Sequence, residues 1–287
     1  MNVLSLFDGM SWGKIELNRA GIKYDNYYAS EIKNYAIDVT QHNFPNTQQL
    51  GSVTELKHIN WVESKINLLI GGSPCQDFSL ANRNVLGLEG QKSSLFWEYF
   101  RILKEIQQVN PEVKFLLENV KMKKEHEKQI TDLLGVEPIL IDSKLVSGAY
   151  RKRLYWTNIG DGKITQPENK NILLQSVLEN GYTDKEKARC LLESDSRPLS
   201  SPVKMFHRYY SSGFTTLIFK SEQHYLDCKK HYDDNFKGKS ANEFFYTGDI
   251  YNGVRYLTKL ERERLQTVPE GYCNSLTNNK AACILGD

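Results

Sequence analysis

The sequence predicts an α/β fold: a doubly wound, mostly parallel sheet carrying a smaller, irregular second domain. Three observations predict it. Short apolar runs alternate with stretches of helical periodicity through the first half of the chain. Acidic or reactive residues stand where those runs stop. Past about Ile159 the alternation gives way to a stretch rich in Lys, Arg, His and aromatic residues.

The elements follow in order. "NVLSLF", Asn2 to Phe7, is an apolar run that ends at Asp8-Gly9. "WGKIELNRAGI" then spaces Ile15, Leu17 and Ala20 for a helix that Gly21 can close. "YDNYYASE" reads as a second strand ending at Glu31, and "IKNYAIDVTQHN" as a second helix. "KINLLIGG" is a third, buried strand, "SLFWEYFRILKEIQQV" an amphipathic helix, and "VKFLLENV" a fourth strand. "YRKRLYW" is a further strand, in which Arg151 and Arg153 alternate onto one side and Lys152 onto the other. Helical periodicity returns in "LTKLERERLQTVP". The expected division is a first domain over 1–159, a second over 160–252, and a return to the first over 253–287.

Composition narrows the function classes. Of 287 residues, 40% are hydrophobic and 25% charged, which suits a soluble chain with a sizeable core. No apolar run approaches the roughly 20 residues of a membrane helix, and the N-terminus has no secretory pattern, so a cytoplasmic location is expected. Five cysteines without CxxC spacing favour neither a disulfide framework nor zinc, and no metal is expected. A net charge of +2 means that any nucleic-acid contact must come from local patches.

In open α/β sheets, ligands bind beyond the strand C-termini. Glu31, Cys75 and Glu118 all stand at or just after such ends. Most isolated cysteines are small buried hydrophobes. Cys75 instead follows Gly71, Gly72 and Pro74 in "GGSPCQDFS", outside the apolar run, where a thiolate can serve as a rigidly held nucleophile. Glu118 closes "FLLENV", and a carboxylate after three apolar residues is costly unless it is paired or used. Salt bridging or capping is the plainer role. In "KMFHRYYSSGFTTLIFK", basic and aromatic residues interleave. That mixture suits contact with phosphates and bases, and suits equally an aromatic-rich small domain with solvated lysines.

Over nearly its whole length the sequence resembles the DNA (cytosine-5) methyltransferases. "SLFDG" resembles their first motif, "ASE" their ribose-binding acid, "GGSPCQDFS" the catalytic Pro-Cys loop, "ENV" the glutamate motif and "RKR" the arginine motif. "RYLTKLERERLQTVPEGY" resembles the helix after the target-recognition region. Six matches in the family's order are specific where any one is weak. The "SLFDG" and "YYASE" variants look most like phage enzymes and the animal de novo enzymes.

The resemblance implies a Rossmann-like S-adenosyl-L-methionine-dependent enzyme that is monomeric and methylates C5 of a cytosine flipped out of double-stranded DNA. Cys75, Glu118, Arg151 and Arg153 would be its catalytic group. Phe7, Asp8, Gly9, Met10, Glu31, Ile32, Ser52, Val53, Pro74 and Leu95 would line the cofactor site. Gln76, Ser79, Arg83, Lys204, Arg208 and Lys220 would meet DNA. The alternative is a relative that binds DNA without methylating it. A nicotinamide oxidoreductase is disfavoured, because "FDGMSWGKIEL" lacks GxGxxG spacing.

Some positions depart from the family's pattern. Trp12 stands where a small residue is usual, Ser52 where an aspartate usually meets adenine, and Asp77 where glycine is common. The family's last motif, which completes the cofactor pocket, would follow "ILGD", and its absence predicts weaker cofactor binding.

Overall fold

The computed structural model of the chain describes residues 1–74, 95–162, 164–192, 202–213, 215–240, 243 and 249–286. Two compact units emerge from the packing. One comprises Met1–Asp142 and Lys152–Gln166, the other Ser143–Arg151 and Pro167–Asp287.

The first unit is an α/β sheet layer. Among the described residues its seven strands are β1 (Asn2–Leu6), β2 (Asn26–Ser30), β3 (Gln48–Gln49), β4 (Ile66–Gly71), β5 (Lys114–Val120), β6 (Ile139–Asp142) and β7 (Lys152–Thr157). They lie in the order β3-β2-β1-β4-β5-β7-β6. All neighbours are parallel except at β7, which runs antiparallel to both β5 and β6. The helices are α1 (Trp12–Arg19), α2 (Asn34–Asn43), a short α3 (Trp61–Ser64), α4 (Leu95–Val109) and α5 (Lys124–Leu134).

The apolar runs become strands because they bury on the sheet. Leu4, Leu6, Leu69 and Leu117 are fully enclosed together with Phe96, Tyr99 and Ile102 of α4. The other side of β1 packs Val3 with Leu17, Tyr27, Ala29 and Leu68. Gly13 lets α1 approach the sheet closely, since a methyl there would lie 2.1 Å from Ile70 Cδ1 and 3.0 Å from the Tyr27 hydroxyl. The antiparallel β7 matters for function. Its start, not its end, lies beside the C-terminal end of β5, with Arg153 opposite Val120 and Tyr155 opposite Glu118.

The second unit contains α6 (Pro202–His207), α7 (Glu222–Asn235), α8 (Lys259–Leu265) and α9 (Asn278–Leu285), joined by short helical turns and isolated bridges. Residues 253–287 make their unit here. Thr258 caps α8 in a capping box with Glu261, whose carboxylate also holds Arg255 at 2.8 Å. Met205, Phe206, Tyr209, Phe219, Cys228, Tyr232 and Tyr251 form one buried cluster. A second core joins Ala149, Leu174, Ala188, Ile218 and Leu265. The buried Lys187 ammonium donates to the carbonyls of Lys144, Ser147 and Ile172.

Candidate functional site

The turn after β1 is built from unusual backbone. Phe7, Gly9 and Ser11 have φ of 57°, 57° and 63°, in the left-handed region. Their turn bends the chain over the end of β2. There the Gly9 N–H donates to Glu31 Oε2 at 2.7 Å, while Glu31 Oε1 accepts from the N–H groups of Ile32 and Lys33 at 2.8 and 2.9 Å. Three backbone donors thus fix the Glu31 carboxylate, and its remaining lone-pair capacity is open to a ligand hydroxyl. Ile32 beside it is 69% exposed, an apolar side chain facing solvent at a strand end. Ser52 caps a helical turn through its own Oγ, which accepts from the Thr54 N–H at 3.3 Å, and Val53 packs inward.

Asp8 and Met10 are buried. The Asp8 carboxylate receives the hydroxyls of Ser11 at 2.5 Å and Tyr27 at 2.8 Å, and Ser11 Oγ is 3.1 Å from Thr40 Oγ1. Burial pushes the Asp8 carboxyl up to about 6, against the pull of its hydroxyl donors. Burial likewise lowers the nearby Lys14, whose ammonium donates to Thr47 Oγ1 at 2.8 Å and lies over the rings of Tyr24, Tyr27 and Phe44. Half-buried Trp12 lies near the same turn, with Cδ1 3.9 Å from where a Gly9 methyl would sit.

The end of β5 carries the second acid. Glu118 Oε1 meets Arg153 Nε at 2.6 Å, and Arg153 Nη1 donates to the Lys152 carbonyl at 3.0 Å. Two contacts therefore fix the guanidinium. Next along β5, the buried Asn119 donates to the Ser73 carbonyl at 3.3 Å and to Ser73 Oγ at 3.1 Å, while its own Oδ1 accepts from the Val120 N–H. Asn119 thereby ties β5 to the segment Ser73-Pro74 that leads into Cys75.

Of the residues singled out from sequence, Glu118, Arg153 and Pro74 lie on neighbouring strand ends, and Glu31 lies across β1 from them. Leu95 opens α4 and packs on its core. Strand β7 begins at Lys152, and Arg151 immediately precedes it. Arg151 falls in the second unit, where its carbonyl accepts from the Ser143 N–H. Cys75, Gln76, Asp77, Ser79 and Arg83 lie outside the described residues, as does the Lys204 side chain. Arg208 stands in a π-helical turn, Arg208–Ser212, and Lys220 is exposed at the turn into α7. The second unit also holds an open groove of about 640 Å³ whose lining includes Lys229, Lys237, Lys239 and Tyr210.

Sequence reasoning missed the Ser11–Asp8–Tyr27 network, the Asn119 tether and the groove. Only Asn119 had a signal, its place inside "ENV". Among the described residues no group of three or more His, Cys, Asp or Glu could hold a metal ion, and no helix is long and apolar enough to cross a membrane.

With this geometry in view, residues 1–135 match the family described as C-5 cytosine-specific DNA methylase. That segment, just under half of the chain, is similar to this family. Similar proteins include DNA (cytosine-5)-methyltransferase DRM2 of Arabidopsis thaliana, 35% identical over 118 residues, which are 37% of this chain and 19% of that protein. Orphan methyltransferase M.SPRI of Bacillus phage SPR is 32% identical over 195 residues, 63% of this chain and 43% of that one. The chain thus spans less than half the length of either relative. A crystal structure of Spodoptera frugiperda DNMT2 shares the fold, with a TM-score of 0.67 at 17% identity, covering 99% of this chain and 94% of that one.

Proposed function

We propose that the chain transfers a methyl group from S-adenosyl-L-methionine to C5 of a cytosine flipped out of double-stranded DNA, through a covalent bond between Cys75 and C6 of the base. The observation that carries the reading is the Glu118–Arg153 pair at 2.6 Å, set beside the Gly72-Ser73 segment that leads in sequence to Cys75. The fixed Glu31 carboxylate and exposed Ile32 fit the ribose hydroxyls and adenine face of the cofactor, which when bound supplies an electrophilic methyl group.

Cytosine C5 is too weak a nucleophile to take that methyl unaided. Addition of the Cys75 thiolate at C6 opens the C5–C6 double bond and pushes electrons toward N3 and O2, making C5 enamine-like. Glu118 serves N3, where negative charge builds, and Arg153 the O2 side of the ring. With the cofactor bound, C5 would take the methyl carbon that it supplies, leaving the cofactor's sulfur as a neutral thioether. Loss of the C5 proton to a base drives out Cys75, re-forming the double bond and the thiolate. Because none of these atoms is reachable within a duplex, the base must leave the stack.

Arg151, Gln76, Ser79 and Arg83 would act around the extruded base. Lys204, Arg208 and Lys220 would meet the duplex, together with the groove lysines. The phage relative supports a cytoplasmic enzyme, and we take it to act as a monomer. Incubation with methyl-labelled cofactor and mixed-sequence DNA tests the reading. Label should appear as 5-methylcytosine, and a chain that binds DNA but leaves it unlabelled would sink the proposal.

A further inference from the structure

The two glycines that end "LLIGG" meet different surroundings. Neither has a positive φ, so the backbone would accept a side chain at both. At Gly71 a methyl would lie 2.8 Å from the Leu6 carbonyl and 3.1 Å from the buried Tyr99 ring. Both neighbours are fixed, and Gly71 is therefore a packing glycine. At Gly72 a methyl would lie 2.9 Å from Glu118 Oε2, 3.6 Å from the Glu118 carbonyl and 3.9 Å from its Cβ. Only the first of these is too close, and it is the movable end of a side chain. Among the described residues, the one thing a larger residue at 72 must displace is the carboxylate that Arg153 holds by its other oxygen.

We infer that Gly72 is a positioning residue, kept free of a side chain so that the Glu118 carboxylate stands between β4 and Arg153 in the orientation the reaction uses. This rests on the proposed function, since it assigns Glu118 to the base. Room for Oε2 and the grip on Oε1 act as two jaws. Close one with a methyl, and the carboxylate must swing by a few tenths of an ångström or more, or leave Arg153. Misplacement on the ångström scale costs up to about 10²-fold in rate. The stability cost should be small, because a flexible side-chain end yields where a backbone carbonyl cannot.

The test compares neighbours. Gly72→Ala should lower kcat by about 10²-fold, leaving KM for DNA, cofactor affinity and the unfolding midpoint near the parent's. Gly71→Ala should lower the unfolding midpoint. In a Glu118→Ala background, Gly72→Ala should change the single-turnover rate no further, because the group through which it acts is gone. Parent-level kcat in Gly72→Ala overturns the inference, and so does the same fold-loss persisting without the Glu118 carboxylate. The nitrogen-15 resonance of Arg153 Nε–H reports the contact with or without catalysis. It should move in Gly72→Ala, and an unmoved resonance also overturns the inference. A parent that transfers no methyl, with that resonance moving as expected, would reject the proposed reaction and leave the positioning intact.

Discussion

The ends of β1 and β5 each present a carboxylate near the strand that leads to Cys75, and the two are held in opposite ways. Asp8 is buried, gripped by neutral hydroxyls from Ser11 and Tyr27, and its carboxyl is pushed up to about 6. Glu118 has a side chain 30% exposed and is gripped by a guanidinium. An acid held only by neutral donors in a dry site carries an energetic penalty for its charge and belongs to the scaffold. An acid with one oxygen on a cation and an open face can exchange partners with an incoming base. The difference separates an acid that shapes the turn from one that serves chemistry, although both stand at strand ends.

The largest effect should come from Cys75. Cys75→Ala should abolish methyl transfer while DNA binding, measured by titration, stays near the parent's, and substantial turnover would remove the covalent route. Glu118→Gln should follow with a rate loss of about 10²-fold or more, in line with general acid–base contributions. Cofactor affinity should hold, and an unchanged rate would make Glu118 as structural as Asp8.

Asp8→Asn should act on stability instead. With its folded value raised to about 6 from an ordinary 3.8, Asp8 contributes stability that is fully present below about pH 4 and is lost as pH rises through about 6. The midpoint difference between variant and parent should therefore shift in the variant's favour across that window and level off above it. A flat difference would show that Asp8 carries no such penalty. Smallest, Ser11→Ala should cost about 1–2 kcal/mol at neutral pH and move the Asp8 titration further upward, since a donor to its charged form is lost. An unshifted titration, read by carbon-13 NMR, would break the network assignment.

The first unit was legible because its strands and helices repeat buried residues at simple spacings, and α1, α2, α4, β1, β2, β4 and β5 follow the sequence reading closely. Strand β3, at two glutamines, has no run to read, and β6 hides in "PILID" between loops. The second unit was illegible for a different reason. Tyr209, Tyr232 and Tyr251 are core residues, yet tyrosines among lysines read equally well as nucleic-acid contacts. Helix α7 buries only Cys228 and Tyr232, an interval of four, and exposes Leu226, so no apolar stripe announces it. At the site, residue types betrayed Glu118 and Arg153. What no pattern betrays is that Glu118 faces Gly72 and that Asn119 reaches Ser73, because those contacts exist only once β5 lies beside β4.

The second unit takes its residues from two places in the chain, and that bears on how it is made. Ser143–Arg151 leave the sheet between β6 and β7, and Ala149 joins a core whose other members run from Leu174 to Leu265. During synthesis the sheet unit has all its strands by Thr157, while this excursion waits for partners not yet emerged. At ribosomal rates of about 5–20 residues per second, the hundred or so residues still to come hold it open for roughly 5–20 s. Over that interval Ala149 lacks its complete core, while the carbonyls of Lys144 and Ser147 stay bare through its earlier part, until the Lys187 ammonium emerges. The nascent chain's exposure to chaperones and proteases should be concentrated there, in a nine-residue loop of a sheet that is otherwise finished.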